Sequence, residues 1–173
     1  MLKIVPADTT SLVEQVVVLA QEYVTWMLAE IHERNPELDV DLFAAAHDYD
    51  DVRKKIPGDN VPPFGRMFLA LDGDRACGCI ALGKLSATVG EMRTLFVRPS
   101  CRGAGTGRQL VEALLREARQ IGYTHLRLDT LRFMDSAIKL YQSLGFYDIA
   151  PYGEAPDGLK PYIRFLEVDL SAQ

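Results

Sequence analysis

The sequence is poor in cysteine and histidine, the side chains that most often hold transition metals. Its 173 residues include only three cysteines, Cys77, Cys79 and Cys101, and three scattered histidines. No second ligand pair has the spacing that would complete a zinc site with Cys77 and Cys79, so we expect no metal. The odd cysteine count gives no sign of a disulfide framework. Because Cys77 and Cys79 are two residues apart on a predicted strand, we expect both to be small buried groups on one face.

The sequence also lacks an excess of positive charge and any long apolar run. Nineteen Lys and Arg residues stand against 24 Asp and Glu, which gives a formal net charge of -5. Nucleic-acid binders usually present a basic face, so we expect no nucleic-acid partner. No apolar run reaches the length of a membrane-spanning helix, and the N-terminus lacks the cationic start and apolar segment of a secretory signal. We therefore expect a cytoplasmic protein with no membrane partner.

A length of 173 residues suits a single domain over residues 1–173. A short apolar run predicts a first strand over 2–5, and Ser11 with Glu14 forms a capping box that predicts a helix start at Ser11. Apolar residues then recur at helical spacing until Asn35. A further short amphipathic helix is predicted over 41–55.

The second half of the sequence changes from hairpins to alternating helices and strands. Three strands, joined by turns, predict an antiparallel meander over 67–71, 76–82 and 91–97. Beyond them, the pattern predicts a helix over 105–121, a strand over 126–130, a short helix from Asp135 or Ser136 to Leu144, and strands over 146–149 and 161–170. Strand, helix and strand between 91 and 130 form a right-handed crossover, so those two strands should be parallel.

A glycine-rich loop at residues 102–108, Arg-Gly-Ala-Gly-Thr-Gly-Arg, joins a predicted strand to a predicted helix. Such a loop aims main-chain N–H groups at one point, where the helix dipole favours an anion such as a pyrophosphate. A Walker A loop would require Lys and Ser or Thr after Gly107, and a dinucleotide-binding loop would require glycine at Arg108. Asp129 does lie where the ribose-binding acid of a dinucleotide fold would lie. A glycine-rich turn that binds nothing remains an alternative.

Two motifs resemble those of the GNAT superfamily of N-acetyltransferases. The strand before the loop ends in Val-Arg-Pro at 97–99, and Arg102, Gly105 and Gly107 then match the cofactor motif Arg/Gln-x-x-Gly-x-Gly/Ala. Residues 137–146, Ala-Ile-Lys-Leu-Tyr-Gln-Ser-Leu-Gly-Phe, match the second motif, Ala-x-x-Leu-Tyr-x-x-x-Gly-Phe. Both motifs occur in the order and separation of the family, so together they are far more specific than either alone.

The resemblance covers residues 66–149 well and implies an α/β GNAT fold, with a mixed, mostly antiparallel central sheet flanked by helices. It also implies acetyl-CoA as cosubstrate, and a bulged strand before the loop that splays from its parallel neighbour. One departure is Met134, where many members carry an asparagine that contacts the cofactor. The cofactor-binding residues that the resemblance implies are Leu95, Phe96, Val97, Arg102, Gly103, Ala104, Gly105, Thr106, Gly107 and Arg108.

The resemblance also implies two catalytic residues. Tyr141 matches the tyrosine that the family places near the cofactor sulfur as general acid, although its position in an apolar helical stripe is equally typical of a core residue. Glu91 lies where some relatives carry a catalytic base, and the alternatives are a substrate ligand or an exposed charge beside a turn. With an ordinary pKa near 4.3, a glutamate would need a raised pKa or a water relay to deprotonate an ammonium.

These residues predict transfer of an acetyl group from acetyl-CoA to a primary amine of a small molecule or peptide, by direct attack in a ternary complex. The alternatives are a non-catalytic sensor that binds acyl-CoA and a nucleotide-binding oxidoreductase. Dimerisation is left open. Candidates for the amine pocket are aromatic and acidic residues of the first helices, the 57–65 loop and the C-terminal loop: Tyr23, Trp26, Glu30, Phe64, Tyr152, Glu154 and Tyr162.

Overall fold

The computed structural model describes residues 1–38, 41, 53–155 and 157–171. Its strands are β1 (Leu2–Pro6), β2 (Arg66–Asp72), β3 (Arg75–Lys84), β4 (Val89–Val97), β5 (His125–Leu131), β6 (Tyr147–Asp148) and β7 (Ile163–Asp169). Its longer helices are α1 (Thr10–Arg34), α2 (Thr106–Ile121) and α3 (Asp135–Ser143). Short 3-10 turns cover Pro99–Cys101 and Lys160–Tyr162.

The strands form one sheet in the order β1-β2-β3-β4-β5-β7-β6. Strands β1 to β4 make an antiparallel meander, β5 runs parallel to β4, and β7 is antiparallel to both β5 and β6. The predicted mixed, mostly antiparallel sheet and its parallel pair are therefore confirmed. A doubly wound sheet would need several parallel neighbours, and within the described residues only β4 and β5 pair in that way, which removes the structural basis for the oxidoreductase alternative.

Helix α1 runs unbroken for 25 residues. Its N-cap is Thr9, whose hydroxyl accepts a hydrogen bond from the Leu12 N–H at 3.3 Å. The predicted capping residue, Ser11, therefore lies two residues beyond the observed N-cap. The predicted apolar stripe is buried at Val16, Leu19, Met27 and Ile31. The helix predicted over 41–55 falls largely outside the described residues. None of the helices in the described parts of the chain combines the length and apolar character of a membrane span.

The two long helices cover opposite faces of the sheet. Leu110, Leu114 and Ala118 of α2 pack against Ile80 and the side chains on the same face of neighbouring strands. On the other face, α1 packs against a second apolar cluster. Strand residues alternate between the two clusters, as the two-residue period of a strand requires. A cleft lined by residues of both helices opens between α1 and α2.

The cysteine predictions were partly wrong. The β2–β3 register places Ala70 opposite Gly78 and Leu71 opposite Ala76, so Cys77 is the extra residue of a bulge. The bulge reverses the alternation: Cys77 joins the cluster under α2, whereas Cys79 joins the cluster under α1. Both are buried, as expected, but Cys77 also forms a disulfide with Cys101, which the odd count did not indicate. That bond ties β3 to the turn before the glycine loop.

Strand β6 is shorter than its predicted span of 146–149. Phe146 is buried, and its N–H donates to the Tyr141 carbonyl, so it belongs to the end of α3 rather than to the sheet. Strand β4 is longer than predicted, because pairing begins at Val89 rather than Glu91. These differences lie at element ends, where hydrogen bonding rather than side-chain pattern decides the boundary.

An ion pair fixes α1 to the end of β4. The Arg98 guanidinium donates to both carboxylate oxygens of Glu22, from Nε at 2.8 Å and from Nη2 at 2.6 Å, and also to the Ala76 carbonyl. The Arg98 hydrogen bond lowers the pKa of the Glu22 carboxyl below its ordinary value.

We predict that Glu22→Gln lowers the free energy of unfolding at pH 7 by about 0.5–1 kcal/mol, a small effect because the Glu22 side chain is 39% exposed and screened by water. The folded pKa lies below the unfolded one, so the stabilisation is present above pH 4.5 and is lost as the pH falls through the folded pKa. Urea unfolding at pH 7 and near the folded pKa tests this. Glu33→Gln, an exposed change on the same helix, is the control, and an equal loss at both pH values would contradict the prediction.

Candidate active site

Strands β4 and β5 separate after a short stretch of pairing. Residues 89–91 of β4 pair with residues 125–127 of β5, and the remainder of each strand diverges. Each strand keeps its other partner: β5 stays paired with β7 along its whole length, and β4 stays paired with β3 apart from one bulge. A wedge therefore opens in the middle of the sheet, towards the carboxyl ends of both parallel strands.

A bulge in β4 accompanies this separation. Arg93 lies opposite Ala81 and Phe96 opposite Cys79, so two residues of β4, Thr94 and Leu95, face a single residue of β3. Thr94 has a φ of 52°, a left-handed conformation that is rare for a β-branched residue. The bulge and the divergence that the family resemblance implied are thus both present in this chain.

The glycine loop lies at the end of β4, after the 3-10 turn. Gly103 and Gly105 have φ angles of 83° and 76°, which favour glycine, and Gly105 is the N-cap of α2. The Thr106 side chain is buried, and its hydroxyl donates to the Cys101 carbonyl at 3.0 Å, which fixes the loop against the turn. The first N–H groups of α2 have no partner inside the helix, and donors of this kind favour an anion at a helix N-terminus.

Two arginines flank this loop. The Arg102 guanidinium lies 4.5 Å from the centre of the Trp26 ring and donates from Nε to the Val97 carbonyl at 2.9 Å. Arg108 donates to the Ser143 hydroxyl at 2.7 Å and so joins the start of α2 to the end of α3. Both cations lie at the loop end of the cleft, where they add positive charge to that of the helix N-terminus.

A cleft of about 600 Å³ fills the wedge. It extends from the glycine loop, past the β4 bulge and α3, to α1. All the predicted cofactor residues line it except Ala104, namely Leu95, Phe96, Val97, Arg102, Gly103, Gly105, Thr106, Gly107 and Arg108. The main-chain donors of the loop end suit the charged end of an anionic ligand.

Tyr141 lines the same cleft from α3. Its side chain is 5% exposed and packs against the Phe146 ring, with the ring centres 5.7 Å apart. Burial, with a smaller contribution from the Asp129 carboxylate, raises the pKa of the Tyr141 phenol above its ordinary value. The hydroxyl is therefore protonated at neutral pH, as a proton donor must be.

Glu91 is not among the residues that line the cleft. Its carboxylate accepts hydrogen bonds from Arg93 Nε at 2.6 Å and from the Tyr152 hydroxyl at 3.1 Å. The structure thus brings Tyr141, but not Glu91, into the cleft. The catalytic role of Glu91 stays a prediction, and its observed contacts are those of a residue that orients Arg93, which does line the cleft.

Of the amine-pocket candidates, Tyr23, Trp26 and Glu30 of α1 line the cleft. The other four, Phe64, Tyr152, Glu154 and Tyr162, do not. Phe64 is 50% exposed and lies beneath the Lys84 ammonium, while Tyr152 is engaged by Glu91 as described.

Sequence reasoning missed several residues that line the cleft. They are Met27, Arg93, Thr94, Asp129, Thr130 and Phe133. The only signal for Asp129 was its position at the end of a strand, which is also where a dinucleotide fold carries its ribose-binding acid. Among the described residues, no group of three or more His, Cys, Asp or Glu side chains is placed to hold a metal ion.

Comparison with known proteins places these features in a family. The sequence model of the acetyltransferase (GNAT) family matches residues 22–146. An uncharacterised N-acetyltransferase of Schizosaccharomyces pombe is 34% identical over 112 residues, which is 64% of this chain and 67% of that protein. IAA acetyltransferase of Azospirillum brasilense is 38% identical over 94 residues, 54% of this chain and 60% of that protein. The chain thus spans about two thirds or less of the length of these relatives.

The fold is similar to that of solved acetyltransferases over nearly the whole chain. The PaiA N-acetyltransferase of Thermoplasma acidophilum, solved in complex with coenzyme A, superposes with a TM-score of 0.68 over 98% of this chain and 99% of that chain, at 15% sequence identity. At that identity the likeness concerns the fold alone. Together with the match over residues 22–146, it shows that this chain belongs to the GNAT family of acetyltransferases.

Proposed function

We propose that this acetyltransferase moves the acetyl group of acetyl-CoA onto a primary amine of a small molecule or peptide, by direct attack in a ternary complex. The observation that carries the proposal is the single cleft that connects the glycine loop, the β4 bulge, Tyr141 and α1. One end suits a diphosphate, and the other end leaves room for an acceptor beside the thioester. The coenzyme A complex of the Thermoplasma acidophilum neighbour supports the choice of cosubstrate.

The residues present fit coenzyme A in two respects. A Cβ added at Gly103 or Gly105 would meet no atom within 4 Å, so the loop is open to a ligand that approaches its main chain. Further along the cleft, Leu95, Phe96 and Val97 take part in no pairing with β5. The main-chain groups of this segment that point away from β3 are therefore available to hold the amide groups of a pantetheine arm, as a strand neighbour would, apart from the Val97 carbonyl, which already accepts from Arg102 Nε.

Acetyl-CoA would supply an activated acetyl thioester, and the protein would polarise its carbonyl. The bulge removes Thr94 and Leu95 from regular pairing with β3. A main-chain N–H held in this way is a donor that needs no reorganisation when negative charge develops on the carbonyl oxygen. We assign that role to the bulged segment of β4.

Tyr141 would protonate the departing thiolate. Burial makes its phenol a weaker acid than a tyrosine in water, which by itself opposes proton donation. A thiolate expelled into the same dry cleft is destabilised by the same burial, so its proton affinity rises as well. The difference in pKa between donor and acceptor thus stays small enough for a shared or transferred proton.

We predict that Tyr141→Phe lowers kcat by about 100-fold, the lower end of the range for general acid catalysis, and leaves the affinity for acetyl-CoA unchanged. Thiol release measured with a panel of amines, together with calorimetric binding of acetyl-CoA, tests this. Tyr147→Phe, at a tyrosine of β6 that donates to Glu167 and does not line the cleft, is the matched control. Full turnover by Tyr141→Phe would exclude the acid role, and acetyl-CoA binding with no turnover of any amine by the wild-type protein would favour the sensor alternative.

Gly105→Ala should weaken the binding of coenzyme A. The left-handed φ of 76° is unfavourable for alanine by about 1–2 kcal/mol, and relaxation of that strain would move the loop N–H groups. Gly73→Ala, in the β2–β3 turn, is the matched control, because its φ is 60° and its added Cβ would also meet no atom within 4 Å. We expect Gly105→Ala and Gly73→Ala to lose similar stability, and only Gly105→Ala to bind coenzyme A more weakly. Equal coenzyme A affinities for the two variants would contradict the loop assignment.

Glu91→Gln distinguishes a base from a positioning residue. Because Glu91 holds Arg93 at the cleft wall, we expect this variant to raise KM for the acceptor while kcat changes less, with the same pH profile as the wild type. Loss of the acidic limb of the kcat profile would instead establish the base role. Steady-state kinetics between pH 6 and 9 provides the measurement.

A further inference from the structure

Trp26 of α1 meets the first residue of the glycine loop. It is the only tryptophan of the sequence, and it lines the cleft. The Arg102 guanidinium lies over its ring, 4.5 Å from the ring centre. The same ring packs against Phe96 of β4, with the ring centres 6.0 Å apart, and against Tyr23 at 6.3 Å. Because Phe96 is buried, the indole is fixed against the core while it also carries the Arg102 side chain.

The contact with Trp26 leaves Arg102 able to bind a ligand. A cation–π contact is an attraction to the face of the ring and uses none of the N–H donors. Arg102 donates from Nε to the Val97 carbonyl, and within the described residues its two terminal nitrogens donate to no protein group. Those nitrogens carry the N–H groups that arginine presents to phosphate oxygens in planar, bidentate geometry. Arg102 is therefore held in place with its phosphate-binding donors unused.

Arg98 shows how differently α1 holds an arginine whose charge is compensated. Its guanidinium forms an ion pair with the Glu22 carboxylate at 2.6 Å. Trp26 lies four residues after Glu22, one turn further along the same face of α1. There a neutral ring takes the place of the carboxylate, so α1 positions Arg102 without neutralising it.

The next turn of α1 carries a carboxylate, that of Glu30, which also lines the cleft. It forms an ion pair with Arg34 at 2.8 Å. Burial lowers the pKa of the Arg102 guanidinium, and the charge of Glu30 only partly offsets this effect. In the described parts of the chain, no carboxylate forms an ion pair with Arg102. The charge of Arg102 therefore stays available to an anion that enters the loop end of the cleft.

A mobile Arg102 would bind the same anion less well. Arginine has a long side chain with many rotamers, and the ordering of such a side chain on binding opposes association. The Trp26 ring and the Val97 carbonyl hold the guanidinium in one position before a ligand arrives. The ordering therefore occurs on folding rather than on binding.

We propose that Trp26 is a positioning residue of the cofactor site, which holds Arg102 where it meets the diphosphate of acetyl-CoA. This inference rests on the proposed function, because it takes acetyl-CoA as the ligand of the loop. It assigns Trp26 to the cofactor and not to the amine pocket, for which its aromatic ring made it a candidate.

The test measures the binding of coenzyme A by calorimetry in Trp26→Leu, which keeps an apolar side chain and removes the ring. The Kd should rise about 2- to 10-fold, the range for ordering one long side chain on binding. Trp26→Phe, which keeps a ring face, should restore much of the lost affinity. In turnover, Trp26→Leu should raise KM for acetyl-CoA and leave unchanged both kcat and the KM of any amine that the wild-type protein acetylates.

A double-mutant cycle with Arg102→Gln separates positioning from packing. Arg102→Gln alone should weaken coenzyme A binding, and the addition of Trp26→Leu should cause no further loss, because Trp26 acts through Arg102. Arg102→Gln should also change the fluorescence emission of Trp26, because it removes the cation over the indole. This readout uses the native indole, so it tests the contact even if Trp26→Leu does not fold.

Leu12→Ala is the matched control, because it removes packing from the apolar cluster that Trp26 also joins, but at the start of α1 and outside the cleft. It should lower the free energy of unfolding and leave the Kd for coenzyme A unchanged. Equal Kd values for the wild type and Trp26→Leu would overturn the inference, as would an equal loss of affinity in Leu12→Ala, additive losses in the cycle, an unchanged emission in Arg102→Gln, or a higher KM for the amine alone. If the wild-type protein binds no coenzyme A, the proposed function itself fails.

Discussion

The departure of β4 from β5 is the constraint on which the rest of the candidate site depends. A parallel pair buried in the middle of a sheet would normally continue to hydrogen-bond along its length, because each unpaired main-chain group is unfavourable. Here pairing stops after residues 89–91 of β4. The groups of β4 beyond that point need partners, and an extended ligand in the wedge can provide them. A ligand bound in the cleft would thus take the place of a neighbouring strand along this part of β4.

Holding that gap open requires support from outside the two strands. Thr94 adopts a left-handed conformation in the bulge, which is strained for a β-branched residue and persists only where the surroundings impose it. At the end of β4, the Arg98–Glu22 ion pair attaches the strand to α1. The disulfide of Cys77 and Cys101 attaches the following turn to β3. The ion pair and the disulfide act on the segment immediately before the glycine loop, so they fix the start of the loop as well as the strand.

Sequence patterns predicted the parts of the fold that depend on side-chain period. The stripe of α1 and the strand–helix–strand crossover that leads to β5 were both confirmed, because burial of one face leaves a regular trace in the sequence. The bulges leave no such trace: the one in β4 was implied only by the family resemblance, and the one at Cys77 was not predicted. Nothing in the sequence around Thr94 indicates a positive φ, and the bulge at Cys77 reversed the predicted alternation with Cys79. The alignment of Glu91 with a catalytic position also carries no information on where along β4 the wedge opens. The sequence therefore could not show that Glu91 lies outside the lining of the cleft.

Positive charge lies at the loop end of the cleft. The loop end combines the N-terminus of α2 with Arg102 and Arg108, which favours an anion. Burial lowers the pKa of Arg102, which indicates that this guanidinium is partly desolvated and would interact strongly with an anion that reached it. In our proposal, the diphosphate of acetyl-CoA lies at this end of the cleft, and the thioester and the attacking nitrogen meet further along it, at the bulge and Tyr141.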